Sequence, residues 1–322
     1  MTTHHPSVLE SLSGLELTKA HATGNDFIMV ADPEGTVTLT PDETAALCDR
    51  HFGLGGDGLI RAVPTHRAGE DNLVDQLVEA GLKSSDQHPV WFMDYRNGDG
   101  SLAEMCGNGV RAFAHFLRAE GLITLEEGQE LPVATRAGLR MVRRVPEGYS
   151  TGMGMWSFID PELAQANASD SLVIAEGLSD PRPALSISMG NPHTVVALPT
   201  ERKLDNVRLT EPPKVDPTPP HGTNVEFVVP ADPLVAQDEE RSVGRIRMRV
   251  HERGVGETLS CGTGACAAAA AVRVWAGEDG VDTWSVEVPG GEVRVRFVLR
   301  DDGAEDVELS GPAVTLLRGT LS

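Results

Sequence analysis

Two tetrapeptides, Cys106-Gly107-Asn108-Gly109 and Cys261-Gly262-Thr263-Gly264, constrain this chain more than any other feature. Each sets a cysteine directly before a Gly-X-Gly turn, and each turn opens an apolar run with helical spacing. A thiol at a helix N-terminus lies beside unpaired backbone N–H groups and the positive end of the helix dipole, a setting that favours thiolate. The glycines let those N–H groups approach a ligand closely, and a helix N-terminus is also a natural carboxylate site. One Cys-Gly cap is more often structural than reactive. Two in one chain, with polar residues at matched offsets, point to a pair of thiols facing a common substrate.

A length of 322 residues suits two domains, each large enough for its own core. No apolar run approaches the ~18 residues of a membrane span, so no membrane partner is expected. Residues 1–13 lack the basic start and apolar middle of a signal peptide and read as a disordered lead-in. Four scattered cysteines, Cys48, Cys106, Cys261 and Cys266, are too few for a disulfide framework and point to a reducing cytoplasm. No Cys-x-x-Cys occurs, and Cys261 and Cys266 have no matching histidine pair, so no metal is expected. The net charge of −21 argues against nucleic acid or an anionic membrane surface as partner. Acidic runs at 70–86, 238–240 and 301–306 read as solvated loops or exposed helix faces.

Strands are expected at 15–19 and 27–32, flanking a loop Thr23-Gly24-Asn25-Asp26, and a helix over 41–50 with Thr40 as its cap. A glycine-dense turn at 53–58 leads into a strand at 59–63. Residues 67–89 are acidic and weakly periodic, an insertion by composition. A strand at 90–95 then meets the turn Asn97-Gly98-Asp99-Gly100. Val110, Phe113, Ala114, Phe116 and Leu117 predict a helix closed by Gly121, and 265–276 predict a second, apolar almost all round and therefore buried. Alternation at 245–250 and 293–299 predicts half-buried strands. Asn97-Gly98 begins nine residues before Cys106, and Glu252-Arg253-Gly254 nine before Cys261. The halves thus echo one another as duplicated α/β domains, with 131–154 as the crossover.

Outside the cysteines, each polar candidate is ambiguous alone. His193, in Asn191-Pro192-His193 after a strand at 185–189, reads as a hydrogen-bonded turn residue or an active-site one. Asn224 reads as a turn residue before the apolar 227–229. Glu252-Arg253 reads as a strand-end ion pair or a ligand clamp.

Together the pieces resemble a known family. Ala22-Thr23-Gly24-Asn25-Asp26-Phe27, Met105-Cys106-Gly107-Asn108-Gly109-Val110-Arg111, Gly190-Asn191-Pro192-His193, Thr223-Asn224-Val225-Glu226-Phe227 and Glu252-Arg253-Gly254-Val255-Gly256-Glu257-Thr258, with Cys261-Gly262-Thr263-Gly264-Ala265-Cys266 following, look like diaminopimelate epimerase. The likeness runs in order from about residue 19 to 271. It implies a cofactor-independent epimerase that interconverts LL- and meso-diaminopimelate for lysine and peptidoglycan precursor synthesis. It also implies an α/β (α+β) fold: two similar domains, each a curled, mostly antiparallel sheet around a central helix, with the active site in the cleft between them. The expected boundaries are 14–145, completed by about 307–322, and 146–306. A small-molecule substrate is the expected partner, and a homodimer is left open.

The chemistry suits the residues independently. Inverting an α-carbon without pyridoxal phosphate needs a base on one face and an acid on the other, and one thiolate with one thiol supplies both. The four lysines, Lys19, Lys83, Lys203 and Lys214, lie in no recognisable cofactor motif. The resemblance makes Cys106 and Cys261 the acid–base pair, with His193 and Glu252 managing their protonation. Gly107, Asn108, Gly262 and Thr263 would hold the reacting end of the substrate. Asn25, Asn97, Asn191, Asn224 and Arg253 would fix the distal end, Arg253 pairing its carboxylate in a bidentate fork, and Glu252 would also bind substrate. Some members carry a substrate-contacting glutamine where this chain has Gly58. Runner-up readings are a proline or hydroxyproline racemase of the same architecture and a non-enzymatic thiol redox sensor. The Asn/Arg set suits a second zwitterionic head better than a pyrrolidine ring, and a sensor has no use for it.

Overall fold

A computed structural model of the chain describes residues 8–70, 72–238, 241–277 and 281–322. The chain divides into two compact units, Met1–Thr151 with Pro312–Ser322, and Gly152–Gly311. The sequence reading put the divisions at 145 and 306.

In the first unit the strands lie in the order Val314–Thr320, Glu16–Ala22, Asn25–Ala31, Gly58–Pro64, Trp91–Asn97, Glu130–Ala134, Arg140–Val145 and the start of Gly148–Met155. The pairings of Asn25–Ala31 with Gly58–Pro64 and of Trp91–Asn97 with Glu130–Ala134 are parallel, and the rest of this series is antiparallel. Three helices accompany them: α1 (Pro41–Cys48), α2 (Asn72–Glu79) and α3 (Gly107–Ala119). The sheet curls around α3, which packs against six of its strands, the C-terminal one included. Val110, Phe113, Phe116 and Leu117 recur at helical spacing and are buried against Phe27, Met29, Ile60, Trp91 and Met93.

The second unit repeats that plan. Its strands run Ser171–Ile174, Arg182–Ser188, Pro192–Ala197, Asn224–Asp238, Arg241–Glu252, Thr283–Val288, Gly291–Leu299 and Glu305–Gly311. The third and fourth pair in parallel, as do the fifth and sixth, and the remaining neighbours are antiparallel, the same series as before. Short helices α4 (Pro161–Asn167) and α5 (Glu201–Asn206) decorate it, and α6 (Gly262–Ala276) occupies the centre. An unbroken run of small side chains, Ala265 to Ala271, lets the strands close on α6 from all round, and every one of these residues is buried.

Several local expectations are corrected. Each Gly-X-Gly forms the first turn of its helix rather than a turn before it, so α3 starts at Gly107 and α6 at Gly262, with the cysteines as N-caps. Asn25 and Asp26 belong to a strand, and only Thr23 (φ 49°) and Gly24 (φ 85°) make the turn. Most of residues 131–154 form strands of the first sheet rather than a crossover, and the chain enters the second unit only at Gly152, within Gly148–Met155. The acidic insertion contains α2, whose Leu73 and Leu77 are buried. Residues 8–13 are packed, with a 3-10 turn at Glu10–Leu12 and Leu12 buried in a cluster with Leu17, Ile28 and Leu47. Residues 1–7 of the expected lead-in, Asp71 in one acidic run and Glu239 and Glu240 in another lie outside the described residues. Among the described residues no helix is long and apolar enough to cross a membrane.

Candidate active site

Each unit gathers its candidate residues at the N-terminus of its central helix. In the first, Cys106 takes an extended backbone (φ −139°, ψ 126°), and its Sγ accepts a hydrogen bond from Gly109 N–H at 3.4 Å. The thiol donates to Asn25 Oδ1 at 3.4 Å. Asn25 Nδ2 in turn donates to Asp57 Oδ2 at 2.6 Å, and Arg50 Nη2 donates to Asp57 Oδ1 at 2.7 Å. The Asp57 carbonyl accepts from the N–H of Gly98, the residue after Asn97, at 2.9 Å. Asn97 ends its strand with Nδ2 donating to Ser101 Oγ at 3.0 Å. Asn108 is buried, and its Oδ1 accepts from Arg111 Nη2, which also reaches Thr23 Oγ1 at 3.4 Å.

Gly58 faces Phe27 on one neighbouring strand and Asn97 on the other. A Cβ there would lie 2.4 Å from the Arg96 carbonyl and 2.7 Å from Tyr95 Cε2. A larger side chain therefore has no room without a shift of backbone, and Gly58 can offer only its main chain.

In the second unit Cys261 caps α6 in the same way, with Gly264 N–H donating to Sγ at 3.4 Å. Thr263 Oγ1 lies 3.5 Å from that sulfur and Asn191 Nδ2 lies 3.5 Å from Thr263 Oγ1. Asn191 Oδ1 is 3.1 Å from His193 Nε2, and His193 Nδ1 is 2.7 Å from Glu226 Oε1. Glu252 lies close enough to Cys261 for its carboxyl to raise that thiol's pKa, and it accepts from Thr258 Oγ1 at 2.5 Å. Asn224 Oδ1 accepts from Arg253 N–H at 2.9 Å, and Asn224 Nδ2 donates to the Pro192 carbonyl at 3.0 Å. Arg253 is exposed, one guanidinium nitrogen donating to the His221 carbonyl at 2.7 Å. His193 sits on a strand, not in a turn, which is why its ring is wholly buried.

The second thiol departs from the sequence expectation of a lowered pKa. Burial, followed by the nearby Glu252 and Glu226 carboxyls, pushes Cys261 well above the ordinary thiol range, against the help of Thr263 and Gly264 N–H. Burial likewise pushes Glu252 up, opposed by the Thr258 hydroxyl, and Glu226 up, opposed by His193. None of the four cysteines is joined in a disulfide. Among the described residues no group of three or more His, Cys, Asp or Glu could hold a metal ion.

The matched topology makes the two clusters equivalent position by position. Gly24 (φ 85°) precedes Asn25 as Gly190 (φ 88°) precedes Asn191, each glycine in a backbone conformation that L side chains avoid. Phe27 lies opposite Gly58 as His193 lies opposite Asn224. Asn97 lies opposite Gly58, and Glu252 follows His251, the partner of Val225, so Glu252 is the counterpart of Asn97. Sequence reasoning missed Asp57, Thr258 and Glu226 as members of these clusters. Glu226 carried the one available signal, a lone acid inside the apolar run Val225-Glu226-Phe227-Val228-Val229.

Comparisons with known proteins agree with this geometry. The sequence model of the family "Diaminopimelate epimerase" matches residues 17–159 and 185–316. The chain is 43% identical over 313 residues to the diaminopimelate epimerase of Streptomyces coelicolor, covering 94% of this chain and 93% of that protein. It is 40% identical to the diaminopimelate epimerase of Mycolicibacterium smegmatis, covering 94% and 95%. Among solved structures, a phenazine biosynthesis protein of the PhzF family from Bacillus anthracis shares the fold with a TM-score of 0.63 at 16% identity, covering 96% of this chain and 99% of that one. A probable proline racemase from Agrobacterium radiobacter does so with a TM-score of 0.53 at 14% identity, covering 96% and 93%. The duplicated fold, the two capped cysteines and relatives matched over nearly the whole length lead to one statement: this chain belongs to the diaminopimelate epimerase family.

Proposed function

We propose that this protein is a cofactor-independent isomerase that interconverts LL- and meso-2,6-diaminopimelate in lysine and peptidoglycan precursor biosynthesis. The observation that carries the reading is the pair of cysteines capping equivalent helices of a duplicated domain, each with a neighbouring N–H on its sulfur. One thiolate removes the α-proton from one face of the substrate, and the other thiol delivers a proton to the opposite face. The roles exchange in the reverse direction. Cys261 rests as the thiol, since burial and two carboxyls oppose its ionisation. Glu252, whose carboxyl acts on that thiol, is the group that receives and returns its proton.

The first-turn N–H groups of Gly107, Asn108, Gly262 and Thr263 bind the carboxylate at the reacting carbon and stabilise its enolate-like charge as the proton leaves. Asn25, Asn97, Asn191 and Asn224 orient the distal amino acid, and Arg253 pairs its carboxylate. Cysteines held out of disulfides suit a cytoplasmic enzyme.

Incubation of the protein with LL-diaminopimelate in D₂O tests the reading: loss of the α-proton signal and appearance of the meso isomer are expected. Cys106→Ala and Cys261→Ala should each fold normally and lose on the order of 10²–10⁴-fold or more in turnover. Near-wild-type turnover in either variant refutes the two-thiol assignment.

A further inference from the structure

The two half-sites differ most beneath the thiols. In the first unit, Phe27 and Ile60 lie under Gly109, each 3.5 Å from where a Cβ would stand. Register makes His193 the counterpart of Phe27 and Glu226 the counterpart of Ile60, two residues beyond the Phe27–Gly58 and His193–Asn224 pairs. His193 and Glu226 are both 0% exposed. The fold thus accepts hydrocarbon at both positions in one unit and pays for a buried acid and imidazole in the other. A buried polar pair of this kind is often no more stabilising than well-packed apolar residues, so stability does not account for it.

The hydrogen bonds run in one direction. We infer that Glu226 is a positioning residue: as a neutral carboxylic acid it donates from Oε1 to His193 Nδ1, and so starts a chain of donors that ends on the Cys261 sulfur. With Nδ1 accepting, the imidazole proton sits on Nε2 and is donated to Asn191 Oδ1, 3.1 Å away. Asn191 then turns its Nδ2 toward Thr263 Oγ1, and the Thr263 hydroxyl is left to donate to Sγ. Each donor has one acceptor ahead of it, and a thiolate at Cys261 gains the last hydrogen bond as it forms.

The state of Glu226 fits. Its Oε2 is buried with no hydrogen-bond partner among the described residues, a costly place for a charged oxygen and a cheaper one for the carbonyl oxygen of an acid. Burial holds its carboxyl above the usual range, which favours the protonated form. Gly264 is required at this point, since a Cβ there would come within 2.8 Å of Glu226 Oε1.

The inference rests on Cys261 being an acid–base thiol, but its first test does not. Imidazole ¹⁵N and ¹³C spectra of labelled protein report which ring nitrogen of His193 carries the proton. Wild type and Glu226→Gln, whose amide N–H can replace the acid O–H, should both show the His193 ring proton on Nε2 and not on Nδ1. Glu226→Ile should lose that preference. In turnover, Glu226→Gln should stay within about fivefold of wild type, while Glu226→Ile loses on the order of 100-fold in kcat with little change in KM. The double variant His193→Phe/Glu226→Ile copies the apolar pair of the first unit, and should fold with wild-type thermal stability yet be as slow. An imidazolium in the wild type, Glu226→Gln as slow as Glu226→Ile, or a fully active Glu226→Ile overturns the proposal. If wild type shows the expected tautomer but no epimerisation, the functional reading fails while the donor chain stands.

Discussion

Cys106 and Cys261 cap equivalent helices in different surroundings, and reagents should tell them apart. Cys106 is partly exposed, whereas Cys48, Cys261 and Cys266 are buried. Burial also pushes the Cys48 thiol up to about 12. Cys261 is raised too, so its thiolate is scarce near neutral pH and grows only as pH rises toward that higher value. Limited iodoacetamide treatment at pH 7 should therefore modify Cys106 first and Cys261 far more slowly, as read by peptide mass mapping. Equal rates at the two would contradict the raised Cys261 pKa. Arg253 offers a second test. Replacing its fork by lysine should weaken diaminopimelate binding by about 2–5 kcal/mol, seen as a rise in KM, and an unchanged KM would remove Arg253 from the site. The two cysteines stand out in the sequence because both open a Cys-Gly-X-Gly stretch before an apolar helical run, whereas the asparagines and Arg253 are ambiguous locally and were singled out by the family resemblance. Glu226 and Thr258 were not. Their importance comes from strand register, which brings residues 193, 226 and 264 together and which no local pattern displays.

At the scale of elements, the helix N-termini carry the design. A Gly-X-Gly reads as a turn because glycine is a poor helix former. In both helices it is nevertheless the first helical turn, since a side chain there would crowd the cysteine that caps it. The crowding is unequal. A Cβ on residue 109 would meet Cys106 Cβ at 3.3 Å and two apolar side chains at 3.5 Å, contacts that small shifts relieve. A Cβ on residue 264 would meet Glu226 Oε1 at 2.8 Å, Cys261 Cβ at 3.2 Å and its Sγ at 3.3 Å. Gly264→Ala should consequently cost much more turnover than Gly109→Ala. A stability loss near 1 kcal/mol or less is expected for Gly109→Ala, where better helix propensity offsets the contact. Steady-state kinetics with thermal melts on both variants decides it, and equal losses of turnover would mean the two caps tolerate a methyl alike. Periodicity predicted both central helices and, to within a few residues, the strands it named, but it left others such as Ser171–Ile174 and Thr283–Val288 unread. It misplaced Asn25, Asp26 and residues 131–154, because a two-residue turn and short twisted strands leave little periodic signal.

For the whole molecule, duplication explains an unusual chain path. In the second unit the strand position beside Arg182–Ser188 is filled by Ser171–Ile174, close to it in sequence. In the first unit the same position beside Glu16–Ala22 is filled by Val314–Thr320, from the far end of the chain. The side chains of that last strand are mostly exposed, so it contributes backbone pairing more than apolar burial. It also covers the buried edge of Glu16–Ala22, ties down Leu15 through Leu321 N–H, and lets the Pro312 carbonyl accept from Arg111, the residue that holds Asn108 beside Cys106. A chain ending at Gly311 should therefore lose about 3–6 kcal/mol from the first unit, at roughly 0.5–1.5 kcal/mol per lost hydrogen bond. It should also associate through the newly open edge. Hydrogen exchange resolves where the damage falls: protection should drop in Glu16–Ala22 and at the start of α3, and persist in α6 and Thr283–Val288, whose unit is complete without the tail. Exchange that rises evenly through both units would show instead that the tail stabilises the chain as a whole.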